Sequence, residues 1–147
     1  GYTYLRSALE WLPLDAVPVG WNCTLLDALL ISHRSYLHVL APVLAGDAVK
    51  ALVHITGGGL IENIPRVLPA GCAATVRLGS WPLPPLFSLV REVSSLDDDE
   101  LHRTLNMGVG MVVVAARNDV EAVRKAIDED TWIIGEITEG PCEVRLV

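Results

Sequence analysis

Long apolar runs are missing from this 147-residue sequence, although 51% of it is hydrophobic. The longest, Met111 to Ala116 and the stretch around Leu25 to Ile31, fall well short of the roughly 20 residues a membrane-crossing helix needs, so no membrane role is expected. Basic clusters are missing as well. The net charge is −7 and the pI about 4.9, with no interleaving of basic and aromatic residues of the kind that tracks a nucleic-acid backbone, so nucleic acid is not an expected partner. Cysteine is scarce: Cys23, Cys72 and Cys142 are odd in number and lack CxxC spacing. That argues against a disulfide framework and a cysteine zinc site and fits a reducing cytoplasm. Among the histidines, His33, His38 and His102 offer no pair with zinc-ligand spacing on one element, so no metal set is expected. No secretory or transit pattern opens the chain, and no initiator methionine does either. Gly1-Tyr2-Thr3 runs directly into a helix-like pattern, which reads as a single domain, residues 1–147, of a longer protein.

What is present is glycine in the right company. Val49 to Thr56 has the apolar character of a buried strand, Gly57-Gly58-Gly59 follows, and Asn63-Ile64-Pro65-Arg66-Val67-Leu68 suits a short helix with Asn63 as N-cap and Pro65 in its first turn. Three glycines between strand and helix bring main-chain N–H groups within reach of an anion. A plain tight turn explains them equally. His54, Thr56, Asn63 and Arg66 flank the run and are polar enough to face one bound anion. The bland readings are a hydrogen-bonded core role for His54, a cap for Asn63, and an i,i+4 surface pair of Glu62 with Arg66.

The rest of the chain alternates helices and strands. A helix over about Tyr2 to Trp11 is stopped by Pro13, and a loop rich in proline and glycine leads to Thr24, the N-cap of a helix Leu25 to Ile31 with Asp27 at N3. A helix Tyr36 to Leu44 ends near Gly46. Beyond the glycine run come a strand Ala73 to Leu78 and a helix opened by Pro85 and running to about Val93. Asp97-Asp98-Asp99-Glu100 then begins a helix to Leu105, with Ser95 as one candidate cap, because acids complement a helix N-terminus. Thr104 to Met111 carries Asn106, Gly108 and Gly110 at the mouth of the most apolar strand, where spaced glycines let a backbone or ligand approach. Asn118 or Asp119 caps a helix Val120 to Ile127, and strands Thr131 to Ile137 and Cys142 to Val147 end the chain as a hairpin-like pair. Trp81 and Trp132 read as core. The pattern is α+β, a mixed sheet flanked by helices.

Taken in order, HITGGGLIENIPRVLP at His54 to Pro69, the SWxxPxxF pattern at Ser80 to Phe87, ELHRTLNMGVGM at Glu100 to Met111 and WIIGEI at Trp132 to Ile137 resemble the C-terminal domain of phosphoribosylformylglycinamidine cyclo-ligase, also called aminoimidazole ribonucleotide synthetase. The resemblance covers nearly the whole chain. It implies the C-terminal half of a two-domain enzyme that uses ATP to convert formylglycinamidine ribonucleotide to aminoimidazole ribonucleotide in purine biosynthesis, with ATP and magnesium held mainly by an N-terminal domain and the protein a cytoplasmic homodimer. Such chemistry rests on positioning and on dipolar groups around a phosphoryl. Carried over residue by residue, it implies phosphate contacts from Gly57, Gly58 and Gly59, side-chain help from Thr56 or Arg66, a catalytic position for His54, substrate contacts at Asn63 and Asn106, and close approach at Gly108 and Gly110. The sequence departs from the family at Ile31-Ser32-His33-Arg34-Ser35-Tyr36, where Glu-Pro-Thr, a basic residue and Ile-Tyr are usual, and at Ser94 and Leu105. A diverged anion-binding or assembly module, or a hydrogenase-maturation or selenophosphate-type enzyme, remains the alternative.

Overall fold

The computed structural model describes all of residues 1–147. Three short helices come first: α1 (Tyr2–Ala8), α2 (Leu25–Leu29) and α3 (Leu37–Leu44). Strand β1 (Val49–His54), helix α4 (Gly59–Asn63) with a 3-10 turn at Ile64–Val67, and β2 (Cys72–Val76) follow. The chain continues through α5 (Pro85–Val93), α6 (Asp98–Thr104), β3 (Met111–Ala115), α7 (Val120–Ile127), β4 (Gly135–Glu139) and β5 (Val144–Leu146). The α+β class read from the sequence is what the structure has, with the strands divided between two small sheets. One is the antiparallel pair β1–β3, and the other is mixed, ordered β4-β2-β5.

Side-chain alternation explains how the helices flank the first sheet. Leu52 on β1 and Met111, Val113 and Ala115 on β3 face the cluster of Leu40, Val43, Val123 and Ile127 from α3 and α7. The residues of opposite parity, Val53, Ile55 and Val112, face a second cluster with Leu60, Ile64, Val76 and Trp81. Between Lys50 near one end and His54 at the other, β1 carries only apolar residues, as does β3 opposite, so polar groups are confined to the ends of this pair. That is where His54 and Thr56 stand. A third cluster, Leu5, Leu9, Leu25, Val90, Leu101, Leu105 and Met107, joins α1, α2, α5 and α6 and supports the glycine loop from below.

Several local expectations change. Asn63 caps nothing by its side chain; it closes α4, because α4 has already begun at Gly59. Asp97, not Ser95, caps α6, its carboxylate accepting the Glu100 N–H at 2.9 Å. Neither Asn118 nor Asp119 caps α7 by its side chain, since a 3-10 turn over Arg117–Asp119 leads into it. The last two strands are not a hairpin. β2 lies between them, antiparallel to β4 and parallel to β5. The strand expected at Thr131 to Ile137 starts only at Gly135, because the Thr131 and Ile133 carbonyls are taken by Arg124 and Arg77 side chains at 3.2 Å each. Trp132, on this non-ladder stretch, is 49% exposed, whereas Trp81 is buried and donates to the Met107 carbonyl at 2.9 Å.

Candidate functional site

Antiparallel pairing of β1 with β3 sets His54 opposite Met111. The Ile55 N–H continues the ladder to the Gly110 carbonyl at 3.0 Å. The two glycine stretches, 50 residues apart in sequence, therefore meet at one end of the sheet.

Each glycine there has its own reason. Gly58 lies at φ +95, and a Cβ on it would meet the Glu62 side chain. Gly59, at φ +55, is closed in by backbone: its Cβ would stand 1.9 Å from the His102 carbonyl oxygen and 2.7 Å from that of Leu105. This glycine lets α4 pack on the end of α6. Gly57 has neither constraint, since a Cβ there meets nothing within 4 Å. Across the site, Met107 and Gly108 are left-handed in succession (φ 46 and 86). They form a tight turn of the primed kind, closed by the Val109 N–H donating to the Asn106 carbonyl at 2.9 Å and braced by the Asn106 side chain accepting the Gly108 N–H at 3.1 Å. A Cβ on Gly108 would strike Pro84 at 2.4 Å, and one on Gly110 would strike the Tyr36 hydroxyl at 1.9 Å. The close approach read from these two glycines is thus made by protein side chains, and Asn106 serves the turn.

The loop backbone carries the electrostatic content. Gly59 N–H donates to Thr56 O, and Glu62 N–H to Gly58 O, but the N–H groups of Thr56, Gly57 and Gly58 donate to nothing in the chain. Thr56 and Gly57 are exposed. Three consecutive N–H groups at the strand end are thus left without an acceptor in the chain. Asn63, 3% exposed, lies inside the loop and not on its outer face. Arg66 is exposed and forms no ion pair. The Glu62 partner is Arg103, at 3.6 Å, and not Arg66, since the turn of the chain into the 3-10 segment carries Arg66 away from helical i,i+4 register.

His54 is exposed, not a core histidine. Its Nε2 is 2.7 Å from Nε2 of His33, one of the two imidazoles donating to the other. Tyr36 stands edge-on to both rings. Below them opens a cleft of about 340 Å³ lined by His33, Tyr36, Leu37, Leu40, Leu52 and His54. Arg34 lines the same cleft, its guanidinium 5.6 Å from the Tyr36 ring centroid, and bonds Glu129 at 2.6 Å; this carboxylate raises the guanidinium pKa above its ordinary value. His33 is the residue that sequence spacing missed, being 21 positions from its partner. The one sign of it was the unusual wording at Ile31 to Ser35. His102, by contrast, is buried, binds the Asp98 carbonyl at 2.7 Å and stands edge-on to Trp81. It is part of the core.

An α+β domain with a glycine loop, its N–H groups unpaired, at the end of a two-stranded sheet is the class this fold and site define. The model of the family described as AIR synthase related protein, C-terminal domain, matches residues 15–147, and the chain belongs to that family. Among curated proteins it is similar to the phosphoribosylformylglycinamidine cyclo-ligases of Geobacter sulfurreducens, 43% identical over 97% of this chain and 42% of that protein, and of Methylobacillus flagellatus, 38% identical over 100% and 44%. The chain thus spans less than half the length of these relatives. Among solved structures, E. coli HypE, a hydrogenase maturation protein, shares the fold with a TM-score of 0.64 at 24% identity, over 99% of this chain and 43% of that one.

Proposed function

We propose that this chain is the C-terminal domain of an ATP-dependent cyclo-ligase that converts formylglycinamidine ribonucleotide to aminoimidazole ribonucleotide in de novo purine biosynthesis. The observation that carries the reading is the 38–43% identity to cyclo-ligases over essentially the whole chain, against 24% to the hydrogenase-maturation structure of the same fold. The substrate's phosphate sits on the Thr56, Gly57 and Gly58 N–H groups, where main-chain donors hold an anion without a mobile counter-charge. Its reacting end extends toward His54, which stands within the same strand end and orients the formylglycinamidine group. Most of the catalytic gain in such a site comes from holding reactants in place.

No three His, Cys, Asp or Glu side chains of this chain stand together in the arrangement of a metal site. The reading assigns ATP and magnesium to an N-terminal domain outside these residues, and the whole protein to the cytoplasm as a homodimer. One observation favours the second reading, a diverged anion-binding module: His33 occupies the Nε2 of His54.

Calorimetric titration with formylglycinamidine ribonucleotide, with inorganic phosphate as competitor, tests the proposal. Saturable binding that phosphate competes away, and that Gly57→Val abolishes, supports it. Val at position 57 suits the purpose because a Cβ there meets nothing within 4 Å, and a thermal melt of the variant checks that it folds. Phosphate binding without any preference for the ribonucleotide supports the anion module instead.

A further inference from the structure

Glycine loops are permissive, and permissiveness is a problem for a binding site. Two peptide units, Thr56–Gly57 and Gly57–Gly58, carry most of the free N–H groups. No Cβ on Gly57 or Gly58 opposes rotation; the Thr56 carbonyl accepts the Gly59 N–H at 3.0 Å, but the Gly57 carbonyl has no main-chain donor. A rotated peptide would present its carbonyl oxygen where the anion should sit. Something must hold these units in one orientation.

We infer that Asn63 is the positioning residue that does so, an inference that rests on the phosphate-binding reading above. Its Nδ2 lies 3.1 Å from the Gly57 carbonyl, 2.8 Å from that of Gly59 and 3.5 Å from that of Thr56. Only the amide NH₂ end can face three acceptors, which fixes the side chain's orientation by chemistry. In a planar trans peptide the carbonyl and the following N–H point in opposite directions. With Thr56 O held mainly by the Gly59 N–H at 3.0 Å, drawing Gly57 O inward to Asn63 turns the Gly58 N–H outward beside that of Gly57, to the exposed face of the loop. Asn63 is 3% exposed, so the contacts form out of competition with water, where a carbonyl left without a donor is costly. The side chain is set one helical turn after Gly59, and Gly59 is itself fixed against the α6 carbonyls. The orientation is thus anchored to the helical layer. On this account Asn63 never touches the ligand; it acts through the peptides that do.

The test is Asn63→Leu, close in shape and without a donor, in the chain as it stands. Backbone NMR reads the Gly57 and Gly58 amides, and titration with inorganic phosphate reads affinity, with a thermal melt to report folding. The expected result is a cooperatively folded variant whose Gly57 and Gly58 amide resonances shift and exchange faster, and whose phosphate affinity falls at least about tenfold, the loss of roughly one charge-assisted hydrogen bond. A merely structural role lowers the melting temperature but leaves the folded protein's phosphate affinity unchanged, and that outcome overturns the inference. Unmoved Gly57 and Gly58 resonances overturn it as well. Should wild type leave phosphate unbound while Asn63→Leu still shifts both amides, the orientation by Asn63 stands and the phosphate reading fails. If Asn63→Leu does not fold, Asn63→Ala, which removes the donor without setting apolar bulk against the loop carbonyls, takes its place with the same expected signs.

Discussion

Replacing Gly59 and Gly57 separately with alanine divides the fold-building from the ligand-facing part of the loop. At position 59 the new methyl group would lie 1.9 Å from the His102 carbonyl oxygen and 2.7 Å from that of Leu105, both backbone atoms at the end of α6. Neither can swing aside as a side-chain tip would. The residue also sits at φ +55, which costs an L-residue about 1–2 kcal/mol, and forcing the two helices apart adds about 1–3 kcal/mol of overpacking. Together these make Gly59→Ala worse by about 2–5 kcal/mol, a large part of the stability of a typical domain. At position 57 there is no neighbour within 4 Å and no positive φ. Gly57→Ala is expected to leave stability unchanged or to raise it by up to about 1 kcal/mol through the less flexible unfolded chain. Urea unfolding of both variants, followed by far-UV circular dichroism, gives the comparison. Equal midpoints would refute the assignment of Gly59 to helix packing.

Three further expectations follow from the same geometry. Gly110→Ala should displace Tyr36, whose hydroxyl occupies the space, and should cost far less in a Tyr36→Ala background; strict additivity in a double-mutant cycle of unfolding energies would show that the two do not touch. Glu62→Gln removes the carboxylate folded back over Gly58 and should tighten inorganic phosphate binding a few-fold, on the order of 0.5–1 kcal/mol for an exposed charge; weaker binding in calorimetry would argue that the anion sits elsewhere. The Thr24 hydroxyl and backbone N–H, in that order of effect, hold the Asp27 carboxyl below its ordinary 3.8. A lowered folded-state pKa gives stability that is complete above the unfolded value and lost as pH falls through the folded one. The stability gap between wild type and Asp27→Asn should therefore be constant near neutrality and close below pH 3.8; a gap independent of pH in urea titrations would exclude the capping bond as its source.

Local chemistry was legible in the sequence where local chemistry decides. Pro85 as first helical residue gives α5 its observed limits, Pro85–Val93, and the apolar spacing of Val120 to Ile127 gives α7 its own. Thr24 and Asp27 form the reciprocal capping box their spacing announces, although α2 stops at Leu29, before Ile31. Pairing between distant segments was less legible. The final two strands look like a hairpin because they are adjacent in sequence, yet β2 takes both as neighbours, and only the sheet's hydrogen-bond register reveals this. Asn63 satisfies every sequence rule for an N-cap, but a helix start at Gly59, permitted by two left-handed glycines, turns its amide back into the loop. His33 reaches His54 through tertiary folding alone, without periodicity to mark it. The meeting of the two glycine stretches, by contrast, follows once the strand before one is paired antiparallel with the strand after the other.

The central claim, that this domain serves ring closure by seating a ribonucleotide phosphate on Thr56 to Gly58, is tested most directly by turnover. ATP-dependent formation of aminoimidazole ribonucleotide would be measured for the full-length protein containing this chain, as wild type and as Gly57→Val. The account requires turnover by wild type and its loss, through a raised KM for the ribonucleotide, in a variant that still folds. Absence of product from the wild-type protein, or a Gly57→Val enzyme with unaltered KM and kcat, would contradict it.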